Sequence, residues 1–226
     1  DTSYMFSQCY SLWDIPTYST GSVTNMSYMF AYTKAKVYPN MTTTSVTNTS
    51  YMFMGCTAMT TMPVLSATSQ ITNPANMFNG CTALVTFGSM NLSGATTLEY
   101  FFSGCSSLTT FGTITTTSAL LSTSYMFSYC TALVTAPLFT TSGVLAIDAM
   151  FVGCTSLTTI PAYVFNAVSS CSSFAGFNFY GTAYTCTSLT TVNFTGLGAS
   201  FVGGSNFNNT TIDFTGCNLN ASAINN

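Results

Sequence analysis

The chain has 226 residues, only 3% of them charged, with no histidine and a formal net charge of -3. Lys34 and Lys36, the only cations, are too few for the basic patch that phosphate backbones require, which excludes nucleic acid. Thr, Ser and Gly break every apolar run well short of about 18 residues, which excludes a membrane span.

The first stretch, Ser3 to Pro16, carries Tyr4-Met5-Phe6 and then Cys9, Leu12, Ile15 and Pro16. The second opens with Val23-Thr24-Asn25-Met26-Ser27-Tyr28-Met29-Phe30, places Thr33 where the first has Cys, and continues with Lys34 and Lys36. Five regular copies follow, in which Cys56, Cys81, Cys105, Cys130 and Cys154 each lie three residues after a Phe. That Phe recurs as Phe6, Phe30, Phe53, Phe78, Phe102, Phe127, Phe151 and Phe174, every 23 to 25 residues. From about residue 175 the register loosens, and Cys186-Thr187-Ser188-Leu189-Thr190-Thr191-Val192 then re-enters it. Near the end, Ile212, Phe214, Cys217 and Leu219 fit the leucine-rich-repeat template.

So steady a period predicts a repeat solenoid, because a unit this short buries its apolar face only by stacking on its neighbours. No linker interrupts it, so residues 1–226 read as one solenoid of about nine coils of about 24 residues. Within a unit, Val23, Met26, Met29 and Phe30 have the spacing of a short helix, with Thr24 and, in a later copy, Ser124 as nearby caps. Gly55, Gly80, Gly104 and Gly153 stand where such a helix would end. The following C-T-x-L-T-T-I-P favours a strand ended by Pro or Gly. The expected architecture is a right-handed coil with a parallel sheet on one face, short helices or 3-10 turns on the other, and Leu84, Leu108, Leu133 and Leu157 stacked inside.

Val23 to Phe30 and Met150-Phe151-Val152-Gly153-Cys154-Thr155-Ser156-Leu157 resemble the BspA-type leucine-rich repeats and related V-T-x-M-x-x-M-F repeats of bacterial surface proteins. The resemblance covers nearly the whole chain. It implies an extracellular, cell-surface or phage-borne solenoid used for adhesion and binding. This chain departs from that pattern by having far fewer Asp and Lys residues.

Zinc sites need clustered Cys or His, whereas these cysteines are a whole repeat apart, so no metal and no cofactor are expected. Stacking would place Cys81, Cys105, Cys130 and Cys154 in one column about 5 Å apart, with parallel side chains that suit buried thiols better than disulfides. Cys171 and Cys186 lie outside the column and are the better candidates for a bridge. Nucleophilic catalysis lacks its base, and Asp14, Glu99, Asp148 and Asp213 sit in different units, so a facing acid–base pair, and with it an enzyme, is not expected.

Thr61, Thr86, Thr110, Thr135, Thr159 and Thr191 form the most regular exposed column. It reads either as β-propensity with solubility or as a hydroxyl ladder that binds carbohydrate; a flat ice-binding array suits a curved leucine-rich sheet less well. Tyr18, Tyr163 and Phe139 are either core residues or sugar-stacking rings. Asn25, Asn40, Asn48, Asn91, Asn193, Asn208, Asn209 and Asn220 each begin N-x-S/T without Pro and are candidate glycosylation sites. Neither end shows a polar cap, so the expectation is either a piece of a longer protein or coils covered head to tail by another copy, giving a fibre. The function expected is a non-enzymatic structural or adhesive surface protein whose partners are itself, a surface glycan or a protein. The alternative is a phage tail-fibre or receptor-binding module that recognises surface carbohydrate or protein.

Overall fold

A computed structural model describes residues 1–139, 143–160, 191–193 and 224–225. Seven repeat units, centred on Phe6, Phe30, Phe53, Phe78, Phe102, Phe127 and Phe151, lie side by side and are joined by parallel ladders. One ladder runs eight residues after the Phe of the third to seventh units. It includes strand pair Thr86–Phe87 with Thr110–Phe111, strand pair Thr159–Ile160 with Thr191–Asn193, and the single bridges Thr61 to Thr86 and Thr135 to Thr159. A second ladder runs about four residues further on, pairing Met41–Thr42 with Leu65–Ser66 and Met90–Asn91 with Ile114–Thr115. The strands are mostly two residues long, because turn residues and Pro interrupt the chain on either side.

The expected helices are not there: among the described residues the Val-x-x-Met-x-x-Met-Phe segment contains no helix. It is instead three consecutive turns that share their end residues. In the second unit, Met29 N–H donates to Met26 C=O, Ala31 to Tyr28 and Thr33 to Phe30, at 3.1–3.2 Å. Ser27 N–H turns back to Asn25 Oδ1, and the other N–H groups leave the unit: those of Met26, Tyr28, Phe30 and Tyr32 donate to Asn48, Ser50, Met52 and Met54 of the next unit, at 2.7–3.0 Å. A helix would consume its N–H groups internally, whereas this arrangement sends every second one across the stack. That satisfies the backbone of both units. The periodicity misleads because chained turns bring residues three and four apart to one side, as a helix does.

Positive φ angles make the turn chain possible. The third residue of the first turn is Tyr4, Tyr28, Tyr51, Asn76, Tyr100, Tyr125 or Ala149, with φ between 48° and 60°. The third residue of the last turn is Gln8, Tyr32, Gly55, Gly80, Gly104, Tyr129 or Gly153, with φ between 59° and 74°. The glycines therefore do take the left-handed conformation, but as turn residues of a type II geometry and not as helix ends. Thr24 and Ser124 correspondingly cap nothing.

All turn-ladder bonds point the same way, from the N–H of one unit to the C=O of the next. Each interface has four, save the one after the fourth unit, where Pro74 has no N–H to give and three remain. The interior is a set of columns. The Phe rings from Phe6 to Phe151 stack at 5.4–6.0 Å, tilted by no more than 18°. Met59, Leu84, Leu108, Leu133 and Leu157 are fully buried beside them.

Candidate functional site

Two kinds of column face outward, one of hydroxyls and one of tyrosines. The structure aligns the expected threonine ladder in two runs, Thr61–Thr86–Thr110 and Thr135–Thr159–Thr191, by successive parallel pairs. Thr61, Thr110 and Thr135 are exposed, while Thr86 and Thr159 are half-buried. Elsewhere the hydroxyls are occupied structurally. Thr20, Thr43 and Thr68, all buried, donate to the carbonyls of Thr42, Ser66 and Asn91 in the next unit at 2.6 Å. Thr72, Thr96, Thr131 and Thr158 donate to carbonyls of the preceding unit at 3.1–3.2 Å.

Four candidate glycosylation asparagines have described side chains, and in each the carboxamide oxygen accepts a backbone N–H. Asn25, Asn48 and Asn91 accept from Ser27, Ser50 and Ser93, two residues on, which is the Asx-turn contact that opens the turn chain for the first two. Asn40 accepts from Val64 of the next unit at 3.1 Å. Asn40 and Asn91 are exposed, whereas Asn25 and Asn48 are half-buried and bridged to one another. For Asn193 only the backbone pairing with Asn225 is described, and Asn208, Asn209 and Asn220 lie outside the described residues.

Tyr18 and Phe139 pack inward. Tyr18 lies 6.0 Å from the ring of Phe6, and Phe139 is 9% exposed beside Phe127. Tyr163, Cys171, Cys186 and Asp213 lie outside the described residues. Cys56, Cys81, Cys105, Cys130 and Cys154 are fully buried free thiols. Each donates its S–H to the carbonyl of a Phe one unit earlier: Phe30, Phe53, Phe78, Phe102 and Phe127, at 3.0–3.2 Å. Burial pushes the Cys56, Cys81, Cys105 and Cys130 thiols up from their ordinary value. Thr33, which replaces Cys in the second unit, also turns its hydroxyl inward, to Tyr38 at 2.6 Å and Cys56 at 3.5 Å.

Glu99 and Asp148 fall on the turn segment, as Asp148 is the residue before Ala149 and Glu99 the residue before Tyr100. They share one column two units apart, with serines between them. Ser122 donates to Glu99 Oε1 at 2.7 Å and Ser124 to Asp148 Oδ2 at 3.4 Å. Among the described residues no cluster of three or more His, Cys, Asp or Glu side chains could hold a metal ion, and no helix is long and apolar enough to cross a membrane.

The tyrosine column is the feature that sequence reading passed over. Tyr4, Tyr28 and Tyr51 stack face to face at 4.6 and 4.4 Å, and Tyr100 on Tyr125 at 4.6 Å. Burial, with the neighbouring phenols, raises the Tyr28 pKa; burial, then Tyr125 and Glu99, raises that of Tyr100. The signal was available as a Tyr two residues before the Phe in five of the seven units. A shallow depression of about 200 Å³ also lies between Val37, Tyr38 and Asn40 of the second unit and Thr61, Met62, Pro63 and Val64 of the third.

These features define a parallel-ladder repeat protein whose outer faces are columns of hydroxyls and phenols. The chain belongs to the family described as "Mycoplasma protein of unknown function, DUF285", whose profile matches residues 1–114, 64–162 and 86–186. Among solved structures, it is similar to the crystal structure of a leucine-rich repeat protein of T. pallidum (TpLRR), with 22% identity and a TM-score of 0.40 over 54% of this chain. The match spans about half of that protein, 52% of its length. No curated protein matches the chain.

Proposed function

We propose that residues 1–226 form one right-handed solenoid of about nine coils, of the BspA-like leucine-rich type, that acts at the cell surface as a non-enzymatic structural or adhesive protein. The observation that carries this reading is the turn ladder. Its bonds hold seven units in register, so the backbone is spent on rigidity and only side-chain columns remain to meet a partner. Right-handedness follows the general preference of parallel crossover connections. Non-enzymatic action is supported by the carboxylates Glu99 and Asp148, which are engaged by serines and two units apart.

Head-to-tail assembly is supported by the one-way polarity of the ladder. Within the turn segment one side of a unit offers N–H groups and the other carbonyls, so a turn ladder that continues from one copy to the next must continue in the same direction. Glycans on the exposed asparagines would hydrate a surface that has little charge. Antibody labelling of intact source cells, with electron microscopy of the native protein, tests the reading. Labelled cells and filaments of uniform polarity are expected; a protein confined to the cell interior would overturn it.

A further inference from the structure

The tyrosine column is interrupted at one place between tyrosines, and ends at Ala149. In the fourth unit its position is held by Asn76, in the same left-handed conformation (φ 59°) as the tyrosines on either side. Tyr51 is stacked on Tyr28 and Tyr100 on Tyr125, but neither has a ring partner on the side that faces unit four. Two coil spacings set the two ring planes about 9–10 Å apart, which beyond the short Asn76 side chain leaves room for one six-membered ring against both.

The floor and wall of this slot are polar. Asn76 is only 9% exposed; its Oδ1 accepts a hydrogen bond from Asn79 Nδ2 at 2.9 Å, and its own Nδ2 has no partner among the described residues. That amide nitrogen is not sealed from solvent, so it stays open to an incoming acceptor. In the column beside it, the position occupied by Ser27 and Ser50 narrows to Ala75 and is followed by Glu99. One carboxylate oxygen of Glu99 is taken by Ser122 at 2.7 Å, and the other is available next to Tyr100.

The geometry points to a carbohydrate-binding subsite in which a neutral pyranose ring sits between Tyr51 and Tyr100. Its C–H faces lie on the two phenol rings, and its hydroxyls accept from Asn76 Nδ2 and donate to Glu99. A purely aromatic occupant would leave both polar groups unmatched. An acidic sugar would bring its carboxylate against that of Glu99. The proposal rests on the surface-protein reading only for where the glycan comes from.

The decisive variant is Asn76→Tyr, which completes the column with the residue already tolerated at that φ in units one, two, three, five and six. The full chain is applied to an array of neutral and acidic pyranosides, and the best neutral ligand is then titrated by tyrosine fluorescence. The wild type should bind neutral sugars saturably and acidic ones at least tenfold more weakly. Asn76→Tyr should lose at least tenfold in affinity while melting no lower than the wild type, and Glu99→Gln should narrow the gap between neutral and acidic sugars. Undiminished binding by Asn76→Tyr, no retention of any neutral sugar by the wild type, or binding of p-cresol in preference to sugars would each overturn the proposal. Glycan binding by a protein absent from the cell surface would defeat the surface reading alone.

Discussion

Gly55 and Gly104 share a column and a backbone conformation, with φ of 67° and 72°, yet their substitution by Ala should have different costs. The conformation itself accepts a side chain, since Gln8, Tyr32 and Tyr129 hold it at φ 60°, 63° and 59°. The general cost of a Cβ there is roughly 1–2 kcal/mol. A Cβ on Gly104 would meet Gly80 Cα at 3.5 Å, an ordinary contact, so Gly104→Ala should cost about 1 kcal/mol, the backbone strain alone. A Cβ on Gly55 would run into the Tyr32 ring at Cδ1 and Cε1. That ring must swing outward and give up its hydroxyl contact with Met54 Sδ at 3.5 Å. Because Tyr32 is already 37% exposed, the lost packing adds only about 1 kcal/mol, making Gly55→Ala about 2 kcal/mol in all. Thermal unfolding followed by circular dichroism should show a fall of about 3 °C for Gly104→Ala and about 6 °C for Gly55→Ala. Removing the obstacle should abolish the difference, so that in a Tyr32→Ala background Gly55→Ala costs no more than Gly104→Ala. Equal losses from the two single substitutions, or no coupling between residues 32 and 55, would refute the packing of Tyr32 over Gly55.

Four other outcomes are expected. Thr49 Oγ1 is buried without a hydrogen-bond partner, so Thr49→Val should raise stability by about 1–2 kcal/mol in urea unfolding; a loss would mean the hydroxyl is satisfied. Peptide mapping after brief alkylation of the native protein should find Cys9 modified and Cys56, Cys81, Cys105, Cys130 and Cys154 protected. The folded state holds four of these thiols above the ordinary 9.0 and Tyr28 and Tyr100 above 10.0, so it favours the protonated forms. That stability is present in full below about pH 9 and is lost as the pH rises further, so an unfolding midpoint unchanged between pH 8 and 11 would contradict it. If the chain is made by a glycosylating cell, glycopeptide analysis should place sugar on Asn40 or Asn91 before Asn25 or Asn48, because the latter pair sits inside the ladder; the reverse order would count against that placement.

Much of the interior was legible because it depends only on period. Residues 24 apart that are all Phe, all Leu or all Cys must stack if the units stack, and they do. The connection between columns was not legible. Val23, Met26, Met29 and Phe30 satisfy a helix and a chain of turns equally, and the choice rests on where the backbone N–H groups go, which side-chain spacing does not encode. Two clues pointed to turns. Asn25, Asn48 and Asn73 recur at the start of the segment, where an Asx-turn would form, and Pro74 interrupts the apolar stripe in the fourth unit. The tyrosine column escaped notice for another reason: Tyr is a poor guide to positive φ, and its stacked rings are visible only once the turns are known.

The scarcity of charge follows from the same geometry. When units repeat every 24 residues or so and stack in register, a charged residue that belonged to the repeat would face its own copies on both sides at one strand spacing. At about 4.8 Å two like charges repel by about 0.9 kcal/mol in water, and by several times that at the lower effective dielectric of a protein surface. Every added unit would add another such pair, so a charged column grows less stable as it lengthens. A hydroxyl column does not, because each hydroxyl can donate to a carbonyl next door, as Thr72 does to Thr47 and Thr96 to Thr72 at 3.1 Å. The few charges that remain obey this rule. Lys34 belongs to a single unit and donates to Thr57 at 3.0 Å, while Glu99 and Asp148 share a column only with a serine-bearing unit between them. Thr and Ser at nearly a third of the chain are therefore the polar residues that a closely repeated stack can tolerate in every unit, which also leaves neutral, hydroxyl-recognising contacts as the chemistry its surface can offer.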